Sequence, residues 1–131
     1  MFKFLTASVA LTYLIITQQL AHAQAPILQV SPATDISVEG ASKVGEFKYT
    51  LSSSTGSIGF FISGIPSWLN ASFTTGTATT LPLTVTFTVR DNARTLAPGS
   101  YSGEITFLNT TNGQGTQQRK ATLTVQQTSS N

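Results

Sequence analysis

The run from Leu83 to Val89 most constrains the fold that this chain can adopt. Its sequence, LTVTFTV, places an apolar residue at every second position and a threonine between each pair. Side chains alternate between the two faces of a β-strand, so Leu83, Val85, Phe87 and Val89 share one face. The run therefore predicts a strand that buries one face and exposes the other.

Two later segments repeat this alternation. Their apolar sets are Tyr101, Gly103, Ile105 and Phe107 in the first, and Ala121, Leu123 and Val125 in the second. The turn dipeptide Pro98-Gly99 precedes the first segment. Asn112-Gly113 lies between the two, which predicts a hairpin. The three segments together predict three half-buried strands of an all-β, sandwich-like domain.

The preceding part of the chain predicts shorter strands at residues 27–30, 36–38, 47–51 and 58–62, with a further short one at 71–74. Between them we expect a polar loop at 52–56, an irregular corner at 64–69 and a Gly/Thr loop at 75–80. No helix of useful length is expected beyond residue 23. About seven to eight short strands at this spacing predict an all-β, immunoglobulin-like β-sandwich.

A family resemblance points to the same fold. The segments SGIPSWLNASFTTG and LPLTVTFTVRDNARTLAPGSYSGEITFLNTTNGQGTQQRKATLTV resemble the BACON-type immunoglobulin-like modules of bacterial exported proteins. The resemblance covers roughly residues 27–126 and is strongest from Ile65 onward. It implies a spacer or adhesive domain, and the family name records a suspicion of carbohydrate binding. It supplies no fixed binding residues.

The N-terminus predicts export. Lys3 is followed by a 13-residue apolar run from Phe4 to Ile16, and Ala21-His22-Ala23 fits the small-x-small cleavage rule. We expect a signal peptide at 1–23, cleavage between Ala23 and Gln24, a sandwich domain at 24–126 and a flexible tail at 127–131. The alternative, an uncleaved anchor, would need about 20 apolar residues. No second such run follows, so we expect a periplasmic or extracellular protein without a membrane span.

The residue types available narrow the possible chemistry. The chain has no cysteine, and its one histidine, His22, lies in the predicted signal peptide. This argues against His-dependent and Cys-dependent nucleophiles and against zinc. Five carboxylates remain and are expected to be solvated, so we predict a protein that is not an enzyme and uses no cofactor or metal. One alternative stays open, a loose calcium site where Asp91-Asn92 approaches Asp35 or Glu39.

The partner class follows from charge and aromatic residues. Six basic and five acidic residues follow residue 23, without a basic stripe, so nucleic acid is not expected. The leading hypothesis is a non-catalytic interaction or structural module whose partner is an envelope protein. The alternative is polysaccharide binding through exposed aromatic rings, with Phe61, Trp68 and Phe73 as candidates. Tyr101 is expected in the core, with its hydroxyl bonded to a loop carbonyl.

Overall fold

The computed structural model describes residues 24–39 and 45–127. The predicted signal peptide and the last four residues of the predicted tail lie outside these ranges. The described chain forms nine strands and a five-residue 3₁₀ helix, Asp91–Thr95. The strands are β1 (Leu28–Ser31), β2 (Ile36–Glu39), β3 (Glu46–Ser53), β4 (Ile58–Ser63), β5 (Leu69–Ala71), β6 (Thr75–Ala78), β7 (Leu83–Val89), β8 (Gly99–Asn109) and β9 (Gln117–Val125).

The strands form two sheets that pack face to face. The four-stranded sheet has the order β1-β3-β7-β5, and the five-stranded sheet has the order β2-β9-β8-β4-β6. All neighbours are antiparallel except β2 and β9, which run parallel. This arrangement of two sheets confirms the predicted immunoglobulin-like β-sandwich.

The core lies between the sheets and consists of the alternating apolar residues. On the long strands these include Val85 and Phe87 of β7 and Ile105 and Phe107 of β8, all fully buried. Phe87 and Phe107 meet edge to face across the sandwich, with ring centroids 6.2 Å apart. Because such an arrangement adds an electrostatic attraction to the area buried, this pair joins the two sheets at their centre.

The structure corrects several predicted boundaries. Residues 75–78 form β6 where the sequence predicted a loop, and β5 begins at Leu69, inside the predicted corner. Strand β3 continues to Ser53, through the start of the predicted polar loop. The sequence of β6, TGTA, has no apolar alternation; it is a strand because it pairs with β4. Gly76 lies beneath the ring of Phe60, where a Cβ would come within 3.0 Å of Cζ.

Residues 32–35, the crossover segment, carry the chain from the first sheet to the second. Three side chains hold it in place. Arg119 of β9 donates to the Pro32 carbonyl at 3.1 Å, and Tyr49 of β3 donates to the Thr34 carbonyl at 2.7 Å. Asp35 accepts from the backbone N–H of Lys120 at 2.8 Å. Both sheets thus contribute a side chain that fixes the path between them.

Burial raises the pKa of the Tyr49 phenol, which has 2% exposure; Arg119 lowers it and Asp35 raises it by smaller amounts. The neutral phenol is therefore favoured in the folded state. The resulting stability is complete below the ordinary tyrosine pKa and is lost as pH rises through the raised value. We expect urea unfolding at pH 7, 9 and 11 to show a steeper alkaline loss in the wild type than in Tyr49→Phe.

Tyr49→Phe should also lose about 1 kcal/mol at pH 7, since the Thr34 carbonyl loses its donor. Tyr101→Phe is the matched control for the alkaline slope, because it likewise removes a phenol and one hydrogen bond to a carbonyl but lies at the more exposed rim of the sandwich. A wild-type alkaline slope that survives in Tyr49→Phe would contradict the assignment.

Tyr101 takes the position that the sequence predicted. It is partly buried against the core, and its hydroxyl donates to the carbonyl of Ala97 at 2.7 Å, four residues upstream. This is the tyrosine corner found in many immunoglobulin-like sandwiches. The hydrogen bond fixes the connection between the 3₁₀ helix and β8.

Candidate functional site

The three aromatic candidates lie in different environments. Trp68 is buried, with 3% exposure, and Phe73 packs against the core with its ring centroid 6.0 Å from that of Phe60. Phe61 is exposed at 45% on the outer face of the five-stranded sheet. The structure therefore does not bring the three rings together as one exposed stacking surface.

Phe61 has an apolar neighbour of another kind. It pairs across β4 and β8 with Leu108, which is 37% exposed, so the two side chains lie side by side on the outer face. Thr75 of β6 faces Phe61 on its other side. The result is a small apolar spot within a polar sheet face, close to the β6 edge.

The edge strands β1, β5 and β6 differ in how their outward backbone groups are satisfied. Strand β1 pairs with β3 through the residues that flank Leu28 and Val30, as the bond from Ser54 N–H to the Ile27 carbonyl establishes. The backbone N–H and C=O groups of Leu28 and Val30 therefore point away from β3. The Gln114 carbonyl, in the hairpin between β8 and β9, accepts from Leu28 N–H at 3.0 Å, and the Arg119 side chain donates to the Val30 carbonyl at 3.1 Å. The chain itself covers this edge.

The opposite side carries β5 and β6, which we call the open edge. The Trp68 carbonyl accepts from Arg90 N–H, and Ser72 N–H donates to the Thr86 carbonyl. The backbone groups of alternate residues of β5 therefore face β7, and the N–H and C=O of Ala71 face away from it. Beside β6, the Thr74 carbonyl accepts from Ile62 N–H, so the backbone N–H and C=O of Thr75 and Thr77 face away from β4. An outward N–H and C=O at each of these positions can pair with a strand from another chain.

A cleft of about 230 Å³ adjoins the open edge at β5, and we call it the edge cleft. Ile65 and Pro66 form its apolar wall, and Asn70, Thr74 and Arg90 supply its polar groups. Arg90 Nη2 donates to Asn70 Oδ1 at 3.3 Å, which holds the guanidinium at the rim. Of the described residues that line this cleft, Arg90 alone carries a charge.

Close backbone packing shapes the wall of the edge cleft. Gly64 has a φ of +72°, and a Cβ there would overlap the carbonyl oxygen of Glu104. A Cβ on Gly103 would come within 2.8 Å of Pro66 Cγ. The 3₁₀ helix adds a further tie, because the Asn92 side chain donates to the Ser67 carbonyl at 3.2 Å. The wall is thus part of a rigid corner, residues 64–67.

The acidic residues form no metal-binding group among residues 24–39 and 45–127, where no cluster of three His, Cys, Asp or Glu occurs. Asp35 accepts from the backbone N–H of Lys120, and Asn92 donates to the Ser67 carbonyl, so each side chain bonds to the backbone of a distant segment. The described residues include no helix long and apolar enough to cross a membrane.

Sequence reasoning missed Arg119 and Arg90. Arg119 is only 6% exposed and donates to Val30, Pro32, Gln117 and Gln118 oxygens. Its position, two before Ala121, is in phase with the buried face of β9, and that was the available signal. No comparable signal marked Arg90, because its role depends on the corner folding beside β5.

No protein-family model matches this chain, and no curated protein sequence matches it. Several solved structures are similar to it. WR4, a C. elegans MSP family member, has 9% identity and a TM-score of 0.46, covering 76% of this chain and 97% of its own. PapD-like domain 7 of human CEP192 has 11% identity and a TM-score of 0.49, covering 79% and 87%.

A third similar structure is AggA, the major subunit of aggregative adherence fimbriae type I from Escherichia coli. It has 15% identity and a TM-score of 0.42, covering 79% of this chain and 97% of its own. At such identities the likeness concerns the fold alone. The class of protein follows from the two packed sheets themselves, which define an immunoglobulin-like β-sandwich.

Proposed function

We propose that residues 24–126 form an exported, non-catalytic immunoglobulin-like module that binds another protein of the cell envelope along its open edge. The observation that carries the proposal is the difference between the edge strand β1 and the edge strands β5 and β6. The chain covers β1 with Gln114 and Arg119, whereas Ala71, Thr75 and Thr77 present outward backbone groups on β5 and β6. A sandwich edge of this kind binds partners by strand addition.

The N-terminal sequence supports the export part of the proposal. A bacterial host that expresses the full chain should release a processed form, because the apolar run and the Ala21-x-Ala23 site meet the requirements of a signal peptide. We expect fractionation to recover the protein outside the cytoplasm and N-terminal sequencing to begin at Gln24. An intact Met1 on a membrane-bound product would contradict it.

Partner binding is tested with two double variants. Ala71→Pro/Thr77→Pro removes two outward N–H groups without breaking a ladder bond, because proline is tolerated where the N–H faces solvent. Ala71→Ser/Thr77→Ala keeps both groups. Immobilised residues 24–131 should capture an envelope protein from the source organism, and the proline pair alone should lose it. Equal capture by both folded pairs would overturn the open edge as the binding site.

A panel of polysaccharides separates the proposal from its alternative. Saturable polysaccharide binding that Phe61→Ala abolishes in a folded protein would establish carbohydrate recognition instead. Phe61 is the suitable residue to change because its ring is exposed, whereas the Trp68 ring is buried. Under the proposal, no polysaccharide in the panel binds.

A further inference from the structure

We propose that the edge cleft and β5 together receive an extended peptide in which an acidic residue stands next to an apolar one. The inference rests on the proposed function and specifies the chemistry of its partner. The peptide adds as a short strand to β5, its carboxylate meets Arg90, and its neighbouring apolar side chain enters the cleft against Ile65 and Pro66.

The backbone of β5 supplies the first part of the argument. Residues 68 and 72 exchange hydrogen bonds with β7, so the intervening alternation turns Ala71 N–H and C=O outward. The Leu69 N–H is taken by the Pro66 carbonyl at 3.0 Å, which closes the strand at its corner end. A peptide therefore finds one outward pair of groups, at Ala71, beside the cleft.

Charge supplies the second part. Arg90 follows the alternation that places the side chains of Thr84, Thr86 and Thr88 on the outer face of the sheet. Its described side-chain hydrogen bond is to the uncharged Asn70 amide. That bond orients the guanidinium and leaves its charge in place. Arginine binds a carboxylate through paired donors, so an aspartate or glutamate side chain is the matching group.

Alternation along a strand supplies the third part. A peptide residue that points to the outer face meets Arg90 and Asn70, and the next residue points to the opposite side. Ile65 and Pro66 line the cleft on that side, since Pro66 lies over Gly103, a position of the inward face of β8. The pattern recognised is therefore acidic, then apolar.

A sugar fits this site less well than a peptide. Saccharides commonly stack on aromatic faces, and the described residues that line the cleft include no aromatic ring. The outward Ala71 backbone pair also matches a peptide and not a sugar ring. An acidic polysaccharide remains the competing ligand that the experiment must separate.

The probe is a fluorescent hexapeptide of alternating threonine and valine with aspartate replacing one central threonine. Matched peptides carry asparagine in place of aspartate, or N-methyl groups along one backbone edge. Anisotropy titration against residues 24–131 should show saturable binding. Asparagine should weaken it about three- to fivefold, as expected for an accessible ion pair. Ala71→Pro should weaken it up to about tenfold by removing one hydrogen bond.

Two arginine variants of the protein test whether Arg90 binds the aspartate of the peptide. Arg90→Gln should weaken the aspartate peptide as much as the asparagine substitution does, and the two changes together should add nothing further. Arg94→Gln is the matched control, an arginine outside the cleft lining, and should leave binding unchanged. Additive losses, or equal binding of both peptides, would overturn the proposal.

Polygalacturonate is titrated in parallel. Binding of polygalacturonate that Arg90→Gln abolishes, without peptide binding, would assign the cleft to an acidic sugar. Capture of an envelope protein that depends on the open edge but not on Arg90 would preserve the proposed function and reject the acidic peptide.

Discussion

Replacing Arg119 with methionine is expected to lower the free energy of unfolding by about 3 kcal/mol, because buried acceptors lose a charged donor. Methionine fills much of the same space but donates no hydrogen bond. The Val30 and Pro32 carbonyls and the Gln117 side chain would lose contacts of 2.8–3.1 Å. Removing the buried charge recovers part of this free energy, but the Val30 and Pro32 carbonyls are backbone groups that cannot move to water without opening β1.

Arg119→Lys separates charge from geometry. Lysine keeps the charge but cannot reproduce the planar fork that reaches Val30 and Pro32 together, so an intermediate loss is expected. Lys120→Met is the matched control on the exposed face of β9 and should change stability by less than about 0.5 kcal/mol. Urea denaturation of the three variants gives the comparison. Equal stability of Arg119→Met and the wild type would show that Arg119 does not hold the crossover segment.

Gly64→Ala should destabilise the fold by at least about 3 kcal/mol, because two unfavourable terms act at one position. The φ of +72° disfavours any side chain, and the new Cβ would overlap the Glu104 carbonyl. That carbonyl belongs to the middle of β8, between β4 and β9, so it cannot shift without disturbing the sheet. The edge cleft should be lost with the corner.

Gly56→Ala isolates the conformational term. Gly56 has a φ of +59° and no atom within 4 Å of the added Cβ, so its loss should be about 1 kcal/mol. Thermal unfolding of both variants measures the difference. If Gly64→Ala lowered the free energy of unfolding no more than Gly56→Ala does, the close approach of Gly64 to the Glu104 carbonyl would not restrict this position to glycine.

The long strands were predictable because burial imposes its period on their sequences. Val85, Phe87, Ile105 and Phe107 all lie in the core, and the alternation placed each of them on an inward face. The hairpin between β8 and β9 was predictable from Asn112-Gly113 for a local reason, since glycine accepts the positive φ of 77° that occurs at Gly113. The tyrosine corner was predictable because Tyr101 lies on the apolar face of its strand and its hydroxyl needs an acceptor in the adjoining loop.

Features that depend on distant partners were not predictable in this way. Strand β6 has no pattern of its own and exists because β4 offers it an edge. Arginine is rarely buried, and the carbonyls of Val30 and Pro32 that help to satisfy Arg119 are distant in the sequence, so no local pattern predicts its burial. The edge cleft combines Ile65, Asn70 and Arg90 from separate elements, so no local pattern contains it.

The parallel pairing of β2 with β9 also determines how the domain bears load. Ile36 lies opposite Ala121 and Glu39 opposite Thr124, so the two strands point the same way. Tension between the segment before β2 and the segment after β9 therefore draws the strands past each other lengthwise. The hydrogen bonds between them then share the force together instead of parting one after another, as they would in a hairpin pulled open from its ends.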